Sequence, residues 1–89
     1  MEQVRLPQTN GVVPLSALKP GLPARVVRIE AGRGLVGRLT ALGLVPGTPV
    51  EVVSANGGPL LLSVLGSRLI LGRGMAAKVL VCASQQGCD

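Results

Sequence analysis

The chain has 89 residues, which is enough for one compact domain and too few for a large two-domain enzyme. With 47% apolar and 15% charged residues, its composition differs from that of disordered chains, so we expect a folded domain. His, Phe, Trp and Tyr are absent, which removes the usual general base, the commonest metal ligand and any aromatic platform for bases. The net charge of +5 favours acidic partners such as nucleic acid, anionic lipid or an acidic protein surface.

The first ordered elements are predicted to be a helical turn and a strand. Residues 14–19 are consistent with one short helical turn, for which Ser16 is available as the cap. The segment 24–30 (ARVVRIE) places Val27 and Ile29 on one face and charged residues on the other. This alternation predicts a half-buried strand.

An amphipathic helix is predicted over residues 33–42 (RGLVGRLTAL). Its apolar positions share one face: Leu35, Val36, Leu39 and Leu42. Gly43 suits the left-handed residue that ends a helix, and Leu44 can fold back on the last turn. Pro46-Gly47 then has the residues of a type II turn.

Short strands and tight turns are predicted for the rest of the chain. The strands are residues 48–54, 60–65, 68–71 and 78–82. Asn56-Gly57-Gly58 supplies one hairpin turn, Gly66-Ser67 a second reversal, and residues 72–77 a short turn or helical piece. About five strands with one inserted helix and a short N-terminal helical turn predict a mainly β fold, a small SH3-like β-barrel.

The domain is expected to span residues 12–82, between a flexible arm at 1–11 and a flexible tail at 83–89. No export signal is visible at the start of the sequence, so we expect a cytoplasmic protein. The most apolar segment, residues 60–71, is well short of the roughly 20 residues that a membrane helix needs. No membrane span is therefore predicted.

The fourth strand raises a packing question. Residues 60–65 (LLLSVL) are apolar on both faces, whereas a small barrel fills its interior from one face. The helix at 33–42 and the turn at 15–18 are candidates to cover the other face. The alternative is an exposed patch for a partner or for self-association.

Two phosphate-binding motifs can be tested and both fail. Residues 32–37 spell G-x-G-x-x-G, and Glu51 lies near the expected ribose-binding position, but the chain is too short for a parallel nucleotide-binding sheet. Arg38-Leu39 stands where a phosphate loop requires Lys followed by Ser or Thr. We therefore interpret these glycines as loop flexibility and close helix packing, and expect no GTPase activity in this chain.

Cys82 and Cys88 are the only thiols, and they form no C-x-x-C pair. Cys82 is predicted to be a small buried side chain and Cys88 an exposed tail thiol, with cytoplasmic reduction opposing a bridge. Without His, no credible metal site is predicted. No catalytic residue, cofactor or resident metal is expected.

One segment carries a family resemblance. Residues 39–52 read LTALGLVPGTPVEV, and residues 15–21 (LSALKPG) and 72–81 (GRGMAAKVLV) agree with the same pattern. Over residues 13–81 the sequence resembles the FeoA family, small proteins of the bacterial ferrous iron uptake system. Gly74 departs from the pattern, because family members usually have a polar or acidic residue there.

The resemblance implies an SH3-like barrel without catalysis that binds protein, with the membrane transporter FeoB or its cytoplasmic GTPase portion as partner. Self-association is left open. One alternative is a detached SH3-like regulatory domain of a DtxR-type metal-dependent repressor, although no helix-turn-helix precedes it. Another is a nucleic-acid-binding barrel, which the missing aromatic residues disfavour, so no nucleic acid partner is expected.

The partner-binding surface is predicted on the exposed side of the helix and its exit turn. The candidate contact residues are Arg33, Arg38, Leu44, Val45 and Pro46. They combine apolar anchors with a basic rim, as protein interfaces do. The alternative for Leu44 is that it only caps the helix.

Overall fold

The structure is a computed structural model that describes residues 11–83. In this range the chain forms one antiparallel sheet of six strands. The strands are β1 (Val12–Pro14), β2 (Ala24–Ile29), β3 (Pro49–Ser54), β4 (Leu60–Val64), β5 (Ser67–Leu71) and β6 (Val79–Ala83). The helical elements are a 3₁₀ turn (Leu15–Ala17), α1 (Arg33–Ala41) and α2 (Arg73–Ala76). The arm predicted at 1–11 and the tail at 83–89 lie outside the described residues except for Gly11 and Ala83.

The strand order is β1-β6-β2-β3-β4-β5, and every pairing is antiparallel. The mainly β prediction is confirmed, but with six strands, because residues 12–14 pair with β6. Three residues are too short for a visible alternation, which is why the sequence did not reveal β1. The sheet is also open, since β1 and β5 are its two edges. Within residues 11–83 no strands pair in parallel, as those of a nucleotide-binding sheet would.

The core forms on one side of the sheet from alternate residues. In β3, Val50 and Val52 are buried while Pro49 and Val53 are exposed, as the predicted alternation requires. The largest fully buried side chains are Leu15, Leu39, Leu44, Leu60, Leu62, Val52, Val79 and Val81. Strands, the 3₁₀ turn and α1 therefore share a single apolar core.

A register shift adds two buried residues to β2 that the predicted alternation did not include. Ala24 and Val26 are the buried residues, while Val27 and Ile29 are only partly buried. The pairing with β6 shifts between Val26 and Arg28. A bulge of this kind changes the face of every later residue, so a simple alternation could not predict it.

The 3₁₀ turn is also capped differently from the prediction. Pro14 occupies its N-terminal flanking position, and no side chain caps it, so Ser16 is not the cap. The Ser16 carbonyl instead accepts a hydrogen bond from Arg73 Nη1 at 3.2 Å. This bond ties the turn to α2.

The second face of β4 is not fully covered. Leu61 is half-buried and pairs with Ile70, whose side chain is 72% exposed. The expectation that α1 and the 3₁₀ turn cover this face is therefore wrong for the described residues. An apolar patch remains on the edge strand β5.

Candidate protein-docking surface

The exit of α1 is fixed by two main-chain hydrogen bonds. The amide of Gly43 donates to the carbonyl of Thr40 at 2.9 Å, and the amide of Leu44 donates to that of Leu39 at 3.0 Å. Gly43 has φ +95°, the left-handed conformation predicted for it. Together these features make a Schellman motif, which accounts for the sharp end of the helix.

The Schellman motif buries Leu44 and exposes Leu42. Leu44 is fully buried, like Leu39, so it closes the last helical turn from inside the core. Leu42, predicted on the buried helix face, is 47% exposed because the chain leaves helical geometry there, at φ −86° and ψ 1°. The buried role is thus taken by Leu44.

A type II turn follows and is anchored to β2. The amide of Thr48 donates to the carbonyl of Val45 at 3.0 Å, and Gly47 has φ +93°, as Pro46-Gly47 predicts. Gly47 N–H also donates to the Val26 carbonyl at 2.7 Å, and Val26 N–H donates to the Thr48 carbonyl at 2.9 Å. The turn that carries the exposed Pro46 ring is therefore held to β2 by two main-chain hydrogen bonds, one through Gly47 and one through Thr48.

The predicted contact residues separate into three groups. Arg33, Arg38 and Pro46 are exposed, and Val45 is half-buried. Leu44 is withdrawn from the set, because a side chain with no exposed surface cannot contact a partner. Arg33 begins α1, and at 3.6 residues per turn it points about 140° away from Arg38, so the helix does not place the two arginines side by side.

The β4–β5 turn holds a residue that the sequence analysis did not single out. Val64 pairs with Ser67, so the turn consists of Leu65 and Gly66, one residue earlier than predicted. Their φ values of +53° and +81° are those of a type I′ turn. An L-residue with a branched side chain is disfavoured there by about 1–2 kcal/mol. The position of Gly66, second in the loop as in Asn-Gly turns, is the signal that could have located the turn.

Leu65 brings this turn against the helix exit. A methyl group added to Gly43 would lie 3.1 Å from Leu65 Cδ1 and 3.6 Å from Val64 Cγ1. The Leu65 side chain nevertheless remains 70% exposed. Leu42 precedes Gly43 in the chain, and Leu65 approaches Gly43 from the β4–β5 turn. We call these two exposed leucines, with Val45 and Pro46, the helix-exit surface.

An open groove of about 330 Å³ lies beside this surface. It is lined by Pro23, Ala24, Arg25, Pro49, Val50, Glu51, Ser63, Leu65 and Gly66. Arg25, Glu51 and Ser63 supply its charged and hydroxyl groups, and Leu65 belongs to both the groove and the helix-exit surface. Polar and apolar surface share its walls about equally, a mixture that is typical of protein interfaces.

The glycines of the G-x-G-x-x-G segment do not serve close packing. A Cβ atom on Gly32, Gly34 or Gly37 would meet nothing within 4 Å. The interpretation that they permit close helix packing is therefore wrong. Nothing in the described residues explains why α1 contains two interior glycines.

Residues that could hold a metal do not cluster. Within residues 11–83, no group of three or more His, Cys, Asp or Glu side chains comes together. Cys82 is 3% exposed, which confirms its predicted burial, but it is disulfide-bonded, contrary to the expectation of a reduced thiol. Cys88 lies outside the described residues. Over the same range, no helix is long and apolar enough to cross a membrane.

A protein-family model described as the FeoA domain matches residues 13–82. The chain belongs to the FeoA family. A curated Methanocaldococcus jannaschii protein named "Putative Fe(2+) transport protein A" is 35% identical over 74 residues, which cover 83% of this chain and 90% of that protein.

Solved structures agree with the family match. A crystal structure of FeoA, described as an iron uptake regulatory protein, is 39% identical, with a TM-score of 0.76 over 80% of this chain and 96% of that one. FeoA of Stenotrophomonas maltophilia, described as an SH3 domain protein and complexed with zinc, is 32% identical, with a TM-score of 0.71 over 83% of this chain and 94% of that one. The predicted SH3-like fold is thereby confirmed.

The same fold occurs in a metal-dependent repressor. A protein described as a manganese-dependent transcriptional repressor has a TM-score of 0.73 at 19% identity, over 85% of this chain and 44% of that one. At this identity the likeness shows the fold alone.

Proposed function

We propose that this FeoA-family chain is a non-enzymatic, cytoplasmic accessory protein of ferrous iron uptake that binds the membrane transporter FeoB at its GTPase portion. The observation that carries the proposal is the family match over residues 13–82, supported by a relative named for Fe(2+) transport. In this role the chain acts by binding another protein and carries out no reaction itself.

The geometry supports protein binding as the mode of action. The helix-exit surface presents Leu42 and Leu65 from turns that main-chain hydrogen bonds hold in place. Exposed Arg38 lies one helical turn before Leu42, so a basic group borders the apolar surface. An apolar centre with a charged rim is the arrangement of many protein interfaces.

Co-purification tests the contact, and GTP hydrolysis tests its consequence. Tagged chain added to a detergent extract that contains full-length transporter should recover the transporter, and the Arg38→Glu variant should recover less because the basic rim is reversed. Arg28→Glu is the matched control, since Arg28 is exposed on β2, outside the helix-exit surface as defined, and pairs with Glu30 at 2.8 Å. GTP hydrolysis measured with and without the chain then distinguishes a regulator from a scaffold. Failure of the wild-type chain to recover the transporter would contradict the proposal.

The repressor-type fold likeness gives a second candidate, a detached regulatory domain that acts on a separate DNA-binding chain. This candidate predicts that the tagged chain retains a winged-helix protein and no transporter. Direct nucleic acid binding predicts oligonucleotide retention that falls steeply with salt. The same affinity experiment, with a salt series, separates all three.

A further inference from the structure

Leu65 combines two unfavourable properties that burial does not offset. Its φ of +53° lies in the left-handed region, which bulky L-residues rarely adopt. Its side chain is 70% exposed, so little apolar surface is removed from water in return. Strained residues of this kind concentrate at binding sites, where the surrounding structure holds them in place.

The turn itself does not require leucine. The two-residue type I′ turn between Val64 and Ser67 is made best by Asn-Gly, and Gly66 already fills the second position. Asn at position 65 would adopt the same backbone with less strain. The side chain therefore contributes something other than the stability of the hairpin.

The surroundings of Leu65 define what it could contact. Leu42, 47% exposed, directly precedes Gly43, the residue whose added Cβ would approach Leu65. Arg25 and Glu51 line the same groove as Leu65. On a chain with a net charge of +5, an exposed leucine is complementary to an apolar pocket bordered by carboxylates.

Charge argues against a second copy of this chain as the occupant. The chain carries a net charge of +5, so two copies repel each other as they approach. Like charges held close in an interface oppose association. The occupant that fits is a different protein with an acidic surface.

We propose that Leu65 is the apolar anchor through which this chain docks into an apolar pocket bordered by carboxylates on its protein partner. The inference rests on the proposed function for the identity of that partner, the full-length FeoB transporter. The inference goes beyond the proposed function by placing the centre of contact at the β4–β5 turn instead of the exposed side of α1.

The test is a substitution that should stabilise the fold and weaken binding together. Leu65→Asn should raise the melting temperature, because Asn tolerates the left-handed conformation, and should weaken binding to detergent-solubilised transporter by about 30-fold, as loss of an anchor does. Ile70→Thr is the matched control: Ile70 is 72% exposed on β5, and Thr keeps the β-branched shape. Its binding should equal that of the wild type.

Each other outcome overturns a defined part of the argument. Wild-type affinity in Leu65→Asn, while Arg38→Glu still weakens binding, removes the anchor and leaves the proposed function standing. A lowered melting temperature in Leu65→Asn contradicts the strain on which the inference depends. A wild-type dimer that Leu65→Asn dissociates in sedimentation assigns the surface to self-association and overturns the partner. No binding of wild type to the transporter overturns the proposed function and the docking proposal together.

Discussion

Arg73 in α2 and Ser16 in the 3₁₀ turn are joined by a hydrogen bond of 3.2 Å between the guanidinium Nη1 and the backbone carbonyl. The two residues are 57 positions apart in the chain. The buried Nε of the same guanidinium has no hydrogen-bond partner in the part of the chain that the structure describes. Arg73 therefore stabilises the fold through a hydrogen bond between two elements and destabilises it by burying a polar atom that has lost its hydration.

This balance predicts different effects for two substitutions of Arg73. Arg73→Ala should lower the free energy of unfolding by about 1–3 kcal/mol, because a charged hydrogen bond and the packing of the side-chain stem are both lost. Arg73→Met should lower it less, because both variants lose the hydrogen bond and the unpaired Nε but only Met keeps the packing of the stem. Urea unfolding of both variants measures the difference. Equal losses would show that the packing of the stem contributes nothing to stability.

Interior glycines of α1 predict a gain in stability. Gly37 lies in a helical conformation with nothing within 4 Å of an added Cβ, so Gly37→Ala has space and adds no steric strain. Alanine is favoured over glycine inside a helix by about 0.5–1 kcal/mol. We expect the free energy of unfolding to rise by that amount in a denaturant titration. A loss of stability would reveal a close contact at this helix face.

The helix exit and its following turn could be predicted from sequence because local chemistry determines them. Gly43 is the left-handed residue after the helix, and Pro46-Gly47 makes the type II turn, both as their residue types indicate. Strand β3 followed from its alternation for the same reason. Each of these features depends on residues within one turn or one strand.

The remaining features depend on tertiary contacts, which a single sequence does not display. β1 forms because residues 12–14 pair with β6. The face of β2 changes at a bulge in its pairing with the same strand. Leu42 and Leu44 exchange their expected environments because the Schellman motif decides which one returns to the core. Leu65 was missed because its conformation is atypical for leucine.

Crowding at Gly43 predicts a larger penalty there than at Gly47. Both residues have positive φ, +95° and +93°, so alanine is strained by about 1–2 kcal/mol at either position. At Gly43 the new methyl group would also lie 3.1 Å from Leu65 Cδ1, whereas at Gly47 it would meet nothing within 4 Å. The excess loss in Gly43→Ala, measured by thermal unfolding, should diminish in the double variant with Leu65→Asn. Additive effects would show that the two residues do not interact.

Two of the residues predicted to contact the partner should differ in their effects: Leu44 should mainly affect stability and Arg38 mainly partner binding. Leu44→Ala removes a fully buried side chain and should lower the free energy of unfolding by about 2–5 kcal/mol. Arg38→Glu changes an exposed residue in the last turn of α1, where the helix dipole favours a positive charge, and should lower it by less than about 1 kcal/mol. Denaturant titrations of the two variants, followed by transporter binding at a temperature where both are folded, test this separation. If folded Leu44→Ala loses binding while Arg38→Glu retains it, then the apolar packing of the helix exit controls the contact and the basic rim does not.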